Sequence, residues 1–230
     1  MVNIELNPTE AFFYIYDKVN KKIYKHTKEV SVIMKYNAPR KTPYILTERC
    51  TMRFARPKEY PDISDFVIKN KAYFAQSEPL HSEEYFTINY WKNKSAQSHN
   101  DFINDKSCFL NIYLKESEQF IGMINYSNFI RGAFQSCFLG FKIAESMQGK
   151  GLMTECLKAA NAYVFETLNL HRISANYMPH NIASARVLEK CKFVKDGIAQ
   201  DYLYINGKWE THVLTSLINN NWKDNVISKN

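Results

Sequence analysis

A short glycine-bearing segment, Gln148-Gly149-Lys150-Gly151-Leu152-Met153-Thr154, has the residue types of an anion-binding loop. It follows a strand-like stretch at 137–143 and precedes small and apolar residues at helical spacing. Glycines let backbone N–H groups approach a ligand closely, and the unpaired amides of a helix's first turn carry partial positive charge. The segment therefore predicts a phosphate or pyrophosphate site. It matches neither the P-loop nor the dinucleotide-binding glycine pattern, and an ordinary glycine-rich turn is the alternative.

The same segment resembles the acetyl-coenzyme-A loop of the GCN5-related N-acetyltransferase family, which has the pattern Gln/Arg-x-x-Gly-x-Gly/Ala between a strand and a long helix. Met153 departs from the wider family, where Gly or Ala is usual. Other motifs follow the order of the RimJ/RimL subgroup, which acetylates protein N-termini: Leu46-Thr47-Glu48-Arg49, His171-Arg172-Ile173, Asn181-x-x-Ser184, Phe193 and Asn206-Gly207-Lys208-Trp209. Residues 128–134 and 175–181 are similar to the ribosomal-protein-alanine acetyltransferases of that subgroup. The resemblance covers about residues 45–222.

This resemblance implies an α+β fold, in which a mixed central sheet flanked by helices is splayed open at the acetyl-CoA site. The pantetheine arm would pair with backbone groups of Phe141 and Ile143, much as an added strand does. The pyrophosphate would lie over Gln148–Thr154. Asn176 and Asn181 are expected to contact the cofactor, although Asn181 could equally serve as a helix N-cap. Acetyl-CoA is then the acetyl donor, and no metal is expected.

Acetyl transfer from a thioester to an amine requires a neutral amine, a polarised carbonyl and a proton for the leaving thiolate. By resemblance Ser184 is the candidate acid, with helix capping as the alternative, and Tyr177 is a second hydroxyl. Three carboxylates are candidates for the amine side: Glu78 first, for binding the substrate ammonium, then Asp201, and Glu210. Each could instead be a solvated surface group.

Bulk composition excludes several other classes of protein. Charged residues make up 23% and hydrophobic residues 45%, as in a soluble globular protein. No apolar run approaches the roughly 18 residues of a membrane span, and no signal peptide is apparent. The five cysteines are scattered without a CxxC motif, which indicates free thiols in the cytoplasm. Cys156 falls on the apolar face of a predicted helix, which favours core packing over catalysis.

The positive charge is concentrated at the front of the chain. Residues 1–44 hold eight Lys or Arg against four acidic residues, within a net charge of +7 for the whole chain. Such a basic extension can bind polyanions such as ribosomal RNA, although a solvated positive surface is the more common role of a basic run. We expect three parts: this extension (1–44), an acetyltransferase domain (45–222) and a short tail (223–230).

Hydrophobic periodicity predicts the elements that must position these residues. In the extension we expect a hairpin from Phe12–Tyr16 and Ile23–Tyr24, a third strand at Val30–Met34 and a linker at 37–43. Strands follow at 46–56, 108–115, 119–127, 135–143, 171–177, 194–205 and 209–217, and helices at 61–75, 83–103, 149–168 and 182–190. Lys192 stands where relatives have glycine after the last helix, which costs about 1 kcal/mol if that position is left-handed.

The interpretation that follows is an acetyl-CoA-dependent N-acetyltransferase acting on a protein N-terminal α-amine, most simply that of an alanine-starting ribosomal protein. A fold and a cofactor loop do not define the acceptor, so two alternatives stay open at this stage. One is acetylation of a small amine, such as an aminoacyl nucleotide, in self-protection. The other is a non-catalytic module that binds the ribosome or RNA.

Overall fold

A computed structural model of the chain describes residues 13–17, 22–26 and 42–224. The chain divides into two compact units, residues 1–41 and 42–230. In the first unit β1 (Phe13–Asp17) and β2 (Lys22–His26) pair antiparallel, where the sequence predicts a hairpin. The predicted third strand at Val30–Met34, most of the linker, and residues 225–230 lie outside the described residues.

The described part of the second unit is built on an eight-stranded mixed sheet. Its strands are β3 (Tyr44–Leu46), β4 (Cys50–Arg53), β5 (Cys108–Leu114), β6 (Phe120–Ile130), β7 (Ser136–Ile143), β8 (Arg172–Tyr177), β9 (Val194–Ile205) and β10 (Lys208–Ile218). In space they follow the order β3-β4-β5-β6-β7-β8-β10-β9, with every neighbouring pair antiparallel except β7 and β8. The mixed sheet of an α+β fold is therefore confirmed.

Helices cover both faces of this sheet. They are α1 (Tyr60–Lys69), α2 (Lys71–Phe74), α3 (Ile88–Ile103), α4 (Leu152–Glu166) and α5 (Ile182–Lys190), with 3-10 turns at Pro57–Glu59, Glu83–Phe86 and Glu145–Met147. One hydrophobic core contains Leu157 and Val164 of α4 and Leu188 of α5. The other contains Phe66 of α1 and Trp91 of α3, packed with aromatic residues of β5. Cys156 lies in the first core, fully buried, as the periodicity predicts.

Three predicted elements are divided in the structure by polar side chains that bind the backbone. The strand predicted at 46–56 is a β3–β4 hairpin, because Thr47 turns the chain by hydrogen bonding to Cys50. The helix predicted at 61–75 breaks after Lys69, where the Asn70 side chain donates to the Phe66 carbonyl. The helix predicted at 83–103 begins only at Ile88, since Thr87 caps it by accepting from the Tyr90 N–H. Such local bonds compete with regular structure.

The sheet opens between its two parallel strands. Pairing joins Ser136–Phe138 of β7 to Arg172–Ser174 of β8 and ends there. The chain leaves β7 toward α4 and leaves β8 toward α5. Both helix N-termini therefore lie at the end where the two strands have separated, which is the usual place for a ligand in such a sheet.

A left-handed residue ends α5. Lys192 has φ +67°, and the N–H groups of Lys192 and Phe193 donate to the carbonyls of Glu189 and Leu188, as in a Schellman motif. A lysine Cβ is strained in this conformation, whereas glycine is not. We expect Lys192→Gly to raise the free energy of unfolding by about 1 kcal/mol, measured by urea denaturation, without changing activity. Lys192→Ala keeps the Cβ and should give no such gain; equal stabilisation by alanine would contradict the strain argument.

Candidate active site

A cavity of about 790 Å³ occupies the opening between β7 and β8. It collects most of the predicted site residues from both strands, from the glycine loop and from the α1–α3 layer. Those that line it are Glu78, Phe141, Ile143, Gln148, Gly149, Gly151, Leu152, Met153, Thr154, Asn176, Asn181 and Ser184, together with Tyr177.

Three residues of the predicted set lie elsewhere. Lys150 is exposed on the loop, with its Nζ 3.7 Å from Met147 Sδ. Asp201 is exposed on the edge strand β9, and Glu210 pairs with Lys208 at 2.8 Å. Among the three candidate carboxylates, Glu78 is thus the one that the fold brings to the cavity.

The glycine loop has a backbone conformation that residues with a side chain rarely adopt. Gly149 has φ +70°, and Gly151, the residue that precedes α4, has φ +76°. These left-handed conformations turn the chain sharply into the helix. Leu152, Met153 and Thr154 then form the first turn of α4 beside the cavity, where their backbone N–H groups have no earlier helical carbonyl to bind. The arrangement is an anion cradle at a helix N-terminus.

Asn181 and Ser184 stand at the N-terminus of α5, on the β8 side of the cavity. The Asn181 Oδ1 accepts from the Ser184 backbone N–H at 3.0 Å, so Asn181 caps the helix. The Ser184 hydroxyl takes no part in this bond, and the residue also lines the cavity. Nearby on β8, the Asn176 side chain donates to the Tyr202 hydroxyl at 3.2 Å, which orients its amide.

Across the cavity Glu78 belongs to a cluster of charged and aromatic side chains. Its Oε1 lies 2.6 Å from Lys142 Nζ, and its Oε2 lies 3.0 Å from His81 Nε2. Lys142 also donates to the Tyr85 hydroxyl at 2.8 Å. The His81 ring stacks on Tyr85 with ring centroids 3.7 Å apart. The Glu78 carboxylate is therefore held in place by groups from β7 and from the segment that follows α2.

Burial shifts the pKa of two members of this cluster, Lys142 and Tyr85. Removal from water lowers the pKa of the Lys142 amine, while the neighbouring Glu78 carboxylate acts to raise it. Burial and the Glu78 charge together raise the pKa of the Tyr85 hydroxyl. The Lys142 and Glu78 side chains thus pair in a half-buried place, beside aromatic rings that exclude water.

The sequence patterns above do not identify Lys142, His81 or Tyr85 as site residues. One signal was present: Lys142 is a lone charge within the apolar strand Phe138-Leu139-Gly140-Phe141-Lys142-Ile143. Alternation along that strand places it on the opposite face from Phe141 and Ile143. Its partner Glu78 lies 64 residues earlier, a separation that no local pattern reports.

The position of β7 depends on a glycine in β6. A Cβ on Gly122 would lie 2.4 Å from the Lys142 carbonyl oxygen, which belongs to the backbone and cannot rotate away. We expect Gly122→Ala to force β6 and β7 apart, lowering the free energy of unfolding by about 2 kcal/mol. The Michaelis constant for the ligand that the sequence predicts along Phe141 and Ile143 should rise, because Ile143 pairs directly with Gly122.

Gly197→Ala is the matched control for this substitution. Gly197 lies in a strand of the same sheet, and a Cβ there meets nothing within 4 Å. Gly197→Ala should leave the free energy of unfolding and the Michaelis constant close to wild type. A Gly122→Ala protein with unchanged stability would show that the two strands separate without cost.

Chemically the cavity offers two unlike halves. One half has an anion cradle and the free edge of a strand, which suit a long ligand with a pyrophosphate and an amide-bearing arm. The other half has a fixed carboxylate and aromatic walls, which suit an amine. A group carried on the long ligand would meet the amine between the separated strands, so the geometry fits transfer of an acyl group.

Comparison with known proteins agrees with this geometry. A family model described as an acetyltransferase (GNAT) domain matches residues 49–194. The [ribosomal protein uS5]-alanine N-acetyltransferase of Escherichia coli is 36% identical over 179 residues, covering 77% of this chain and 92% of that protein. A crystal structure of ribosomal-protein-S5-alanine acetyltransferase from Vibrio fischeri matches with a TM-score of 0.76 at 34% identity, covering 79% of this chain and all of that one.

A third match bears on the fold. The structure of Mycobacterium smegmatis RimJ in complex with CoA-disulfide has a TM-score of 0.71 at 22% identity, covering 78% of this chain and 88% of that one. Within the described residues, no helix has the length and apolar character needed to span a membrane.

Proposed function

This chain belongs to the GNAT family of N-acetyltransferases, and from that membership we propose that it acetylates the N-terminal α-amine of a ribosomal protein that begins with alanine. The donor is acetyl-CoA. The observation that carries the proposal is the pairing, in one cavity, of an anion cradle at the N-terminus of α4 with the clustered carboxylate of Glu78. The relatives named for acetylation of an alanine terminus support the choice of acceptor.

Acetyl-CoA would be held by backbone groups on one side of the cavity. The loop from Gln148 to Thr154 suits its pyrophosphate, and the edge of β7 at Phe141 and Ile143 suits its pantetheine amides. Asn176 and Asn181 border the same path on the β8 side. Bound there, acetyl-CoA supplies an activated thioester, so this chain's residues need only orient it and manage protons.

Glu78 would bind the acceptor's amino group. As the C–N bond forms and the thioester C–S bond breaks, Ser184 would donate a proton to the departing thiolate, and the proton lost by the amine nitrogen would pass through water and restore the Ser184 hydroxyl. An α-amine has a pKa near 8, so roughly a tenth of it is neutral at pH 7, against well under one part in a thousand for a lysine amine. A site without a dedicated strong base therefore suits an α-amine. Asp201 and Lys150 lie outside the cavity lining, so this scheme gives them no direct contact with the reacting groups.

The basic extension would provide a second contact. With eight basic residues against four acidic ones, residues 1–44 would bind ribosomal RNA. The reaction would then take place on ribosomes in the cytoplasm. Removing them should weaken ribosome association and leave acetylation of a short peptide intact.

The proposal is tested by acetyl-CoA turnover, read as free thiol, on a panel of acceptors. The panel contains short peptides beginning with Ala, Ser or Met, an N-blocked peptide with an internal lysine, and an aminoacyl nucleotide. Turnover with the free alanine terminus and none with the blocked peptide is expected. Turnover with the nucleotide alone would replace the protein acceptor by a small amine. CoA binding without turnover on any acceptor would favour the non-catalytic ribosome-binding module.

A further inference from the structure

Arg49 connects the turn between β3 and β4 to the glycine loop, about a hundred residues later in the chain. Its Nη1 donates to the Lys150 carbonyl at 2.9 Å. Its Nε and Nη2 lie 2.7 and 2.6 Å from Glu155 Oε2, in the first turns of α4. Its backbone N–H donates to Glu155 Oε1 at 2.9 Å. The guanidinium also reaches the underside of Gly151, where a Cβ would lie 3.6 Å from Nη2.

These contacts determine which way one loop peptide faces. In a trans peptide the carbonyl and the following N–H point in opposite directions. Since the Lys150 carbonyl points to Arg49, the Gly151 N–H points away from it. Gly149, Gly151 and the first residues of α4 line the cavity, whereas Arg49 is not among the lining residues. The carbonyl that would repel an anion is thus turned to the outer side of the loop.

Glu155 would by itself work against an anion at this helix N-terminus. Although burial acts to raise it, hydrogen bonds from Thr47 and Arg49 hold the pKa of the Glu155 carboxyl below its usual value, so it carries a negative charge. Two guanidinium nitrogens bind one oxygen of this carboxylate and neutralise its charge locally, and the carboxylate in turn fixes the orientation of the guanidinium. Lysine could not reproduce this geometry, because it offers a single charged nitrogen.

We propose that Arg49 is a positioning residue for the diphosphate of the donor: held by Glu155, it keeps the Lys150 carbonyl outward and the loop amides toward the cavity. This inference rests on the donor site proposed above. It assigns a role to the Leu46-Thr47-Glu48-Arg49 motif, which lies outside the cavity lining. Arg49 acts through the loop and does not touch the reacting atoms.

The test compares two ligands on the full-length chain. CoA contains the diphosphate, and pantetheine contains the arm without it. We expect Arg49→Met to raise the Kd of CoA at least tenfold, measured by calorimetry, and to leave the Kd of pantetheine, measured by NMR titration, within twofold of wild type. Equal weakening of both ligands, or unchanged CoA binding, would overturn the proposal. Because binding is the readout, an error in the proposed acceptor would not affect the result.

Three further variants test the proposal if Arg49→Met folds poorly. Arg49→Lys should bind CoA with an affinity between wild type and Arg49→Met. Glu155→Gln should weaken CoA binding less than Arg49→Met does, and the double variant should be no weaker than Arg49→Met alone, since both residues act through one contact. Recovery of CoA binding in the double variant would show that Arg49 serves only to cancel the charge of Glu155, and additive losses would show that the two residues act independently; either result would overturn the proposal.

Arg131 supplies a matched control. Its guanidinium binds Asp105 through two nitrogens, each at 2.7 Å, and its Nη1 donates to the Leu168 carbonyl at 3.0 Å. It therefore makes the same kind of contacts away from the cavity lining. Arg131→Met should lower the melting temperature and leave the affinity for CoA within twofold of wild type. A comparable loss of CoA affinity in this control would mean that destabilisation alone explains the effect.

Discussion

Glu78→Gln is expected to lower kcat/KM for an alanine-starting peptide about a hundredfold, while the Kd for CoA stays within twofold of wild type. A hydrogen bond to a charged group contributes about 1.5–3 kcal/mol, and a hundredfold change corresponds to about 2.7 kcal/mol. The substitution also leaves Lys142, a half-buried cation, without its counter-ion. Steady-state kinetics on the peptide series, combined with calorimetry for CoA, measure both quantities.

The surface pair of Lys71 and Glu83 is the control for this prediction. Their charged atoms are 3.5 Å apart, and the Glu83 side chain is 91% exposed, so Glu83→Gln removes a carboxylate from the same layer without touching the cavity. Its kinetics should match wild type. A Glu78→Gln enzyme with a wild-type rate would remove Glu78 from the acceptor site and leave its contact with Lys142 as a purely structural one.

Lys142 makes the Glu78 prediction more specific. A protonated acceptor amine would have to share the carboxylate with the Lys142 ammonium, which favours entry of the neutral amine. The loss caused by Glu78→Gln should therefore appear mainly in KM for the peptide, at a pH where the amine is partly neutral. An equal loss in kcat would instead place Glu78 in the proton transfer.

The sequence predicts the elements of this fold well where a local pattern defines them. The bounds of α5 and β9 agree with prediction, because Asn181 caps the helix and the Asn206-Gly207 turn ends the strand. The bounds of α1 and β4 do not agree with it. Asn70 and Thr47 end or turn those elements by side-chain bonds to the backbone, and such bonds leave no periodic signal.

The residues of the site also fall into those that a local pattern identifies and those that it does not. The loop from Gln148 to Thr154 is contiguous, so its glycines and position before a helix were readable, and the fold places most of it at the cavity. The contacts of Glu78 with Lys142 and of Arg49 with Glu155 join residues 64 and 106 positions apart. Such contacts depend on the packing of the helical layer and hairpin against the sheet, which residue types alone do not report.

A buried network anchors the start of the helical layer that carries Glu78. Glu59, just before α1, accepts from both terminal nitrogens of Arg53 on β4, at 2.7 and 2.8 Å. It also accepts from the Arg56 backbone N–H at 2.7 Å and from the Tyr113 hydroxyl at 2.8 Å. The Arg53 guanidinium lies 4.0 Å from the centroid of the Tyr113 ring. The partners of this buried carboxylate come from two strands of the sheet, β4 and β5, and from the residue that caps the 3-10 turn before α1.

Glu59→Gln should lower the free energy of unfolding at pH 7 by about 3 kcal/mol, with urea denaturation as the measurement. Although burial acts to raise it, the bonds from Arg53, Arg56 and Tyr113 lower the pKa of the Glu59 carboxyl from 4.5 to about 2. A depressed pKa stabilises the folded protein above the unfolded value of 4.5, and each unit is worth about 1.4 kcal/mol.

That contribution is lost as the pH falls toward 2, so the stability difference between wild type and Glu59→Gln should narrow to about half at pH 3. Glu116→Gln, a substitution in an exposed turn, should show no comparable pH-dependent difference. A gap that stayed constant from pH 7 to pH 3 would mean that Glu59 acts through shape and not through its charge. If the stability difference narrows as the pH falls and Glu59→Gln also acetylates the peptide more slowly, the charge of Glu59 would be linked to the position of α1 and α2 and hence of Glu78.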